Sequence, residues 1–375
     1  MTRRTSGLLA GAAIAATAIA GAAALAAPGA LAAPGAHAAP GAHAAPHAPK
    51  AAAHNSDRGG LPNRLVAPYF ETYNTTSGDM AALAQQSGAR FLTLAFLQTD
   101  QPGSCTAYWD GSTSTPIAQS SFGNDIAAIQ AAGGNVIPSF GGFTADTTGT
   151  ELADSCADPN AIAQVYESLI TTYNVPGIDL DIEGDSVHNA AGIDRRNKAI
   201  AITEAWAAAH GRSIEFTYTL PTFPTGLPPA EQAVLQNAVA NGARVSTVNL
   251  LTFDYFLGPQ QNMVTDTETA GSALVSFLQT LYPDASQRAL WHMVGITEMP
   301  GIDDFGTAET FSKADAVRVL GWAYAHQIGL LSFWALQRDN GGCPGTKGAG
   351  ACSGLVQPDW FFTRVFSLFG SQPDD

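Results

Sequence analysis

The sequence predicts an α/β protein in which a parallel sheet is covered by helices, most simply a (β/α)8 TIM barrel. Three observations predict it. From Leu61 onward, eight short β-branched or apolar runs alternate with amphipathic stretches. Those runs read as buried strands, as a sheet covered on both faces requires. Residues 61–370, about 310 in all, suit one barrel with long loops. A doubly wound open sheet is the alternative. It loses support because Phe70-Glu71-Thr72-Tyr73 follows the first run, where a dinucleotide fold has a Gly-rich phosphate turn.

The expected strands are residues 64–70, 90–97, 135–140, 177–183, 213–220, 246–253, 290–296 and 329–334. The clearest helix is 160–173, where Ile162, Val165, Tyr166, Leu169, Ile170 and Tyr173 form one stripe. Asp158 caps it and Pro159 takes its first position. Ser312 and Asp315 form a capping box before the last strand. Gly88 and Gly329 are expected to stop helices.

Ahead of this region, residues 1–32 read as a signal peptide. Arg3 and Arg4 precede an uncharged Ala/Leu/Ile/Gly run from Leu8 to Ala26. Small-x-small sites follow at Ala24-Leu25-Ala26 and Ala30-Leu31-Ala32. The other reading, a membrane anchor, is disfavoured by the Ala/Gly composition. Residues 33–60 form an Ala/Pro/Gly/His linker that repeats APGAHA and cannot build a core. The mature protein is therefore expected to be secreted, extracellular, monomeric and free of membrane. No domain-sized segment is expected after residue 370.

Lys plus Arg is 17 against 32 Asp plus Glu, a net charge of −15, which excludes an electrostatic footprint for nucleic acid or anionic membrane. Four of the eight His (His37, His43, His47, His54) fall in the linker, so no His/Cys metal spacing emerges; no metal and no cofactor are expected. Four Cys suit an exported protein. Cys343 and Cys352 lie in one Gly-rich stretch, which leaves Cys105 with Cys156. Three connectivities are formally open.

The most informative segment is Pro176-Gly177-Ile178-Asp179-Leu180-Asp181-Ile182-Glu183-Gly184. Alternation along a strand puts Asp179, Asp181 and Glu183 on one face and the aliphatic residues on the other. Three buried acids about 7 Å apart are costly unless hydrogen-bonded or used, and they cannot all ionise easily. A carboxyl kept protonated at a strand end is what a general acid requires.

This run resembles the DGxDxDxE signature of glycoside hydrolase family 18, the chitinases and endo-β-N-acetylglucosaminidases, with Pro176 in place of the first Asp. Ser139-Phe140-Gly141-Gly142 resembles the family's SxGG. Leu251-Thr252-Phe253-Asp254-Tyr255 stands where the family has Met-x-Tyr-Asp, and Phe333-Trp334 resembles the Trp that ends strand eight. Thr219-Leu220-Pro221 and Arg338-Asp339 look most like a secreted actinobacterial branch.

The resemblance implies substrate-assisted retaining hydrolysis of β-1,4 bonds in chitin or N-acetylglucosamine oligosaccharides. Glu183 would be the general acid. Asp181 would orient the acetamido group, with Asp179 beneath it sharing a proton. Trp334 would floor the sugar and Asp254 would contact it. Tyr69, Phe96, Trp109 and Tyr255 are further groove candidates. Phe253 replaces the Tyr that would bind the acetamido oxygen, and the Tyr255 hydroxyl is the candidate substitute. The alternatives are an N-glycan endo-β-N-acetylglucosaminidase and a non-catalytic sugar-binding protein on the same scaffold.

Overall fold

The computed structural model describes residues 60–74 and 78–371. The signal and linker expectations lie outside the described residues, apart from residue 60. Eight parallel strands form the barrel wall: Phe91–Thr99, Asn135–Gly141, Gly177–Asp181, Glu215–Pro221, Thr247–Leu251, Val294–Glu298 and Leu330–Phe333 follow a first strand that is split in two. Its halves, Leu65–Val66 and Tyr69–Glu71, flank Ala67-Pro68. The first half pairs with the last strand, Leu65 opposite Leu330, and the second half pairs with the second strand, Tyr69 opposite Thr93. One interrupted strand thus closes the ring. Proline at the break has no N–H to donate. The carbonyl of Ala67 accepts from both Thr93 Oγ1 and Ser332 Oγ, so the seam is tied on both sides.

A helix follows each strand in turn: Met80–Ser87, Asn124–Ala131, Pro159–Tyr173, Ala190–Ala209, Pro229–Ala240, Met263–Leu281, Lys313–His326 and Phe361–Gly370. Asp158 accepts the Asn160 amide with Pro159 behind it, and Ser312 and Asp315 close a reciprocal capping box. Gly88 ends its helix at φ 82°. Gly329 does not act this way. Gln327, at φ 55°, takes the left-handed position after Lys313–His326. Gly329 instead lies so close to the His292 carbonyl that a Cβ would stand 2.2 Å from it. The seventh strand starts later than expected, because Gln287–His292 is a short helix capped by Ser286.

Ile178 and Leu180 face the helices within the main apolar core. Inside the barrel three layers stack. Leu61, Leu65, Ala67, Ile137 and Leu330 plug the amino-terminal end. A polar belt of Ser139, Asp179, Thr219, Asn249 and Thr297 lies above the plug. Tyr69, Phe96 and Trp334 form an aromatic layer near the carboxyl-terminal mouth. Cys105 pairs with Cys156 and Cys343 with Cys352. No helix among the described residues is long and apolar enough to cross a membrane.

Candidate active site

A cleft of about 910 Å³ opens at the carboxyl-terminal mouth, lined among others by Phe96, Asp181, Glu183, Phe253, Asp254 and Trp334. That volume lies within the usual range for a small-molecule site. Sheet register builds its floor. Ser139 stands opposite Asp179 and Gly141 opposite Asp181 on the neighbouring strand, while Thr219 stands opposite Asp181 on the other side.

Asp179 is the best satisfied of the three acids. Ser139 Oγ donates to its Oδ2 at 2.6 Å, Tyr69 to the same oxygen at 3.0 Å, and Thr219 Oγ1 to Oδ1 at 2.6 Å. Burial raises its pKa to about 6 against these donors. Asp181 is equally buried but its Oδ1 has no partner. Burial, then Glu183 and Asp179, push its carboxyl well above the ordinary range. No hydrogen bond joins Asp179 to Asp181. Glu183 lies two residues past the strand's end, half-buried, and burial lifts it to about 7.

The Gly141-Gly142 pair explains itself by close approach. A Cβ on Gly141 would stand 2.1 Å from the Asp181 carbonyl, and one on Gly142 2.6 Å from the Phe96 ring. Both glycines have left-handed φ, 98° and 80°. The bareness of Gly142 lets Phe96 stack on Trp334, with centroids 5.6 Å apart and planes 11° from parallel. Asp254 is held at the rim by the Asp304 amide and raised to about 8 by burial and by Asp303 and Asp304.

Three expectations change. Trp109 is 1% exposed and donates to Tyr173 Oη at 3.2 Å, so it packs between the second strand's hairpin and a helix, away from the cleft. Tyr69 is buried too, and supports Asp179 from within the barrel. Tyr255 lines the cleft, but its hydroxyl is buried without a partner amid Glu298, Asp266 and Glu309. Glu298 receives Thr267 from the helix layer, so the Tyr255 hydroxyl belongs to the helix side of the sheet and cannot replace the hydroxyl missing at Phe253. Arg338 and Asp339 are also structural. Arg338 donates to the carbonyls of Pro300 and Ile302, and Asp339 accepts the Phe362 and Thr363 amides at the last helix's start.

The sequence reasoning missed the exposed rim aromatics Tyr73, Phe143, Phe223 and Phe256. Each follows a different strand, and only their positions after strand ends could have flagged them. It also missed Asp146, buried beside Glu183. Among the described residues, no group of three or more His, Cys, Asp or Glu is arranged to hold a metal.

No family model matches the chain. It is 31% identical over 322 residues to a probable bifunctional chitinase/lysozyme of Escherichia coli K12, covering 83% of this chain and 35% of that protein. It is 33% identical over 288 residues to endochitinase 11 of Metarhizium anisopliae, covering 74% of this chain and 53% of that one. The chain thus spans about a third to a half of these curated relatives. The catalytic domain of a hyperthermophilic chitinase from Pyrococcus furiosus superposes with a TM-score of 0.72 at 28% identity, over 82% of this chain and 95% of that domain. The chain is a chitinase-like protein of glycoside hydrolase family 18. A family 18 chitinase from Pseudoalteromonas aurantia shares the fold at 13% identity and a TM-score of 0.50. Family 18 membership accounts for the acidic run on the fourth strand and the paired glycines after the third as parts of one construction.

Proposed function

We propose that the chain is a secreted glycosidase that cleaves β-1,4 bonds of N-acetylglucosamine polymers by a substrate-assisted, retaining route. One observation carries the reading. Glu183 stands in the cleft with its carboxyl raised to about 7, next to the buried Asp181 and across from the Phe96–Trp334 stack. The chitinase names of its relatives support the substrate class. Secretion rests on the reading of residues 1–32.

In the first step the acetamido oxygen of the bound sugar attacks its own C1. The bond from C1 to the leaving oxygen breaks, and Glu183 gives that oxygen its proton. An oxazolinium ion results. Asp181 accepts the acetamido N–H and stabilises the positive charge as it develops. Asp179 lies beneath, fixed by three hydroxyls; no hydrogen bond joins it to Asp181 in this structure, so Asp181 has to turn toward it before the two can share a proton. Water then attacks C1, Glu183 takes the water's proton, and the ring opens with configuration retained. Trp334 supplies an apolar floor for the sugar, and Asp254 a polar contact at its edge. Phe253 offers no hydroxyl, so Asp181 orients the acetamide without that help.

The test is incubation of the protein with chitin oligosaccharides and with a high-mannose glycopeptide. Chitin oligosaccharides should be shortened and the glycopeptide left intact. Glu183→Gln should lower turnover at least about 10²-fold while keeping sugar binding. Binding without hydrolysis by the parent protein would instead support a lectin.

A further inference from the structure

The sheet stops short of Glu183. The last rung of its ladder on this side is the Ile182 amide donating to the Thr219 carbonyl at 2.9 Å. Gly184 then turns the chain at φ 47°. What holds Glu183 is the short helix Phe143–Thr148, at two points. The Phe143 amide donates to the Glu183 carboxylate, and the Glu183 amide donates to Asp146 Oδ2.

Asp146 is 1% exposed. Its other oxygen, Oδ1, lies 3.0 Å from Ser186 Oγ, and the same hydroxyl also meets Asp154 Oδ2. Ser186 has one hydroxyl hydrogen and two carboxyls to serve. With both carboxyls ionised, one contact would set lone pair against lone pair. The arrangement closes if one carboxyl carries a proton. Asp154 also faces two further donors, Asn189 Nδ2 at 2.9 Å and Arg196 at 3.9 Å. Arg196 is more closely engaged by Glu151, at 2.8 Å. Burial and the Glu151 charge favour the proton on Asp146. The 3.0 Å contact then runs from the Asp146 carboxyl hydrogen to Ser186 Oγ, and Ser186 passes its own hydrogen to Asp154.

The geometry points to Asp146 as a positioning residue for Glu183: a neutral carboxyl that takes the Glu183 amide on one oxygen and is itself fixed through Ser186 to Asp154 on the other. This rests on the reading of Glu183 as the general acid. A misplaced acid hurts most where the leaving group needs a proton. A chitin oligosaccharide releases a sugar alkoxide and needs one; a 4-nitrophenyl glycoside of the same sugar releases a stable phenolate and needs it far less. A loss of folded protein would lower both rates alike.

The experiment compares turnover of both substrates by the parent, Asp146→Ala, Asp146→Asn and Ser186→Ala, with circular dichroism as the check on folding. Asp146→Ala should lose about 10²-fold on the oligosaccharide and less than about tenfold on the nitrophenyl substrate. Asp146→Asn has an acceptor for the Glu183 amide and a donor for Ser186, so it should stay within about threefold of the parent on both. Ser186→Ala should repeat the substrate bias of Asp146→Ala in weaker form, and it decides the matter if Asp146→Ala does not fold. Equal losses on both substrates, or an Asn variant as biased as the Ala variant, overturn the assignment. A parent inactive on both substrates overturns the proposed function itself, and this assignment with it.

Discussion

Ser139→Ala isolates one of the three donors to Asp179. The lost contact is a 2.6 Å hydrogen bond to a buried carboxylate, leaving Oδ2 with Tyr69 alone. Hydrogen bonds to charged groups are worth about 1.5–3 kcal/mol. At about 1.4 kcal/mol per pKa unit, Asp179 should rise by about one to two units from its value of about 6. The sign follows from linkage. A carboxyl whose folded pKa lies above its unfolded value favours the folded state at low pH, and that advantage is lost as pH rises through the folded pKa. Parent and variant should therefore be equally stable below about pH 6 and diverge between about pH 6 and 8, the variant reaching a deficit of about 1.5–3 kcal/mol. Thermal unfolding followed by circular dichroism should show a Tm difference of roughly 2–5 °C at pH 8 that nearly vanishes at pH 5. A deficit that is the same at both pH values would refute the reasoning, because it would come from packing rather than from the charge on Asp179.

Hydrolysis should fall as pH rises through about 7, because Glu183 titrates there and only its protonated form can act as acid; kcat/KM measured from pH 5 to 9 checks this. Gly142→Ala should displace Phe96, since the new Cβ would stand 2.6 Å from its ring at a backbone φ of 80°. Quenching of Trp334 fluorescence by added oligosaccharide should weaken and turnover should drop about tenfold or more. Replacing both Cys343 and Cys352 by Ser should cost about 2–3 kcal/mol for so short a loop, read as a lower Tm with turnover largely kept.

The sequence alone determined the alternation of strand and helix, because the periods of two and 3.6 are properties of the local chain and show directly in where apolar residues recur. It also determined the helix start at Pro159 and the capping box at Ser312, which depend on a few neighbouring groups. The acids on the fourth strand were legible for the same reason: alternation puts Asp179 and Asp181 on one face whatever surrounds them. What surrounds them was decided only by tertiary structure. Ser139 and Thr219 reach Asp179 because parallel register sets neighbouring strands side by side, and register depends on residues about 40 positions apart. Trp109 and Tyr69 read as groove residues in the sequence, because an aromatic after or within a strand looks the same there whether it faces the cleft, the barrel interior or a helix. Tyr255 went astray at the strand end, where positive φ at Asp254 breaks the alternation that would have turned it toward the cleft. Asp146 was invisible, because a lone acid in a polar loop carries no period. Only the folding of that loop against the fourth strand brings its carboxyl to the Glu183 amide.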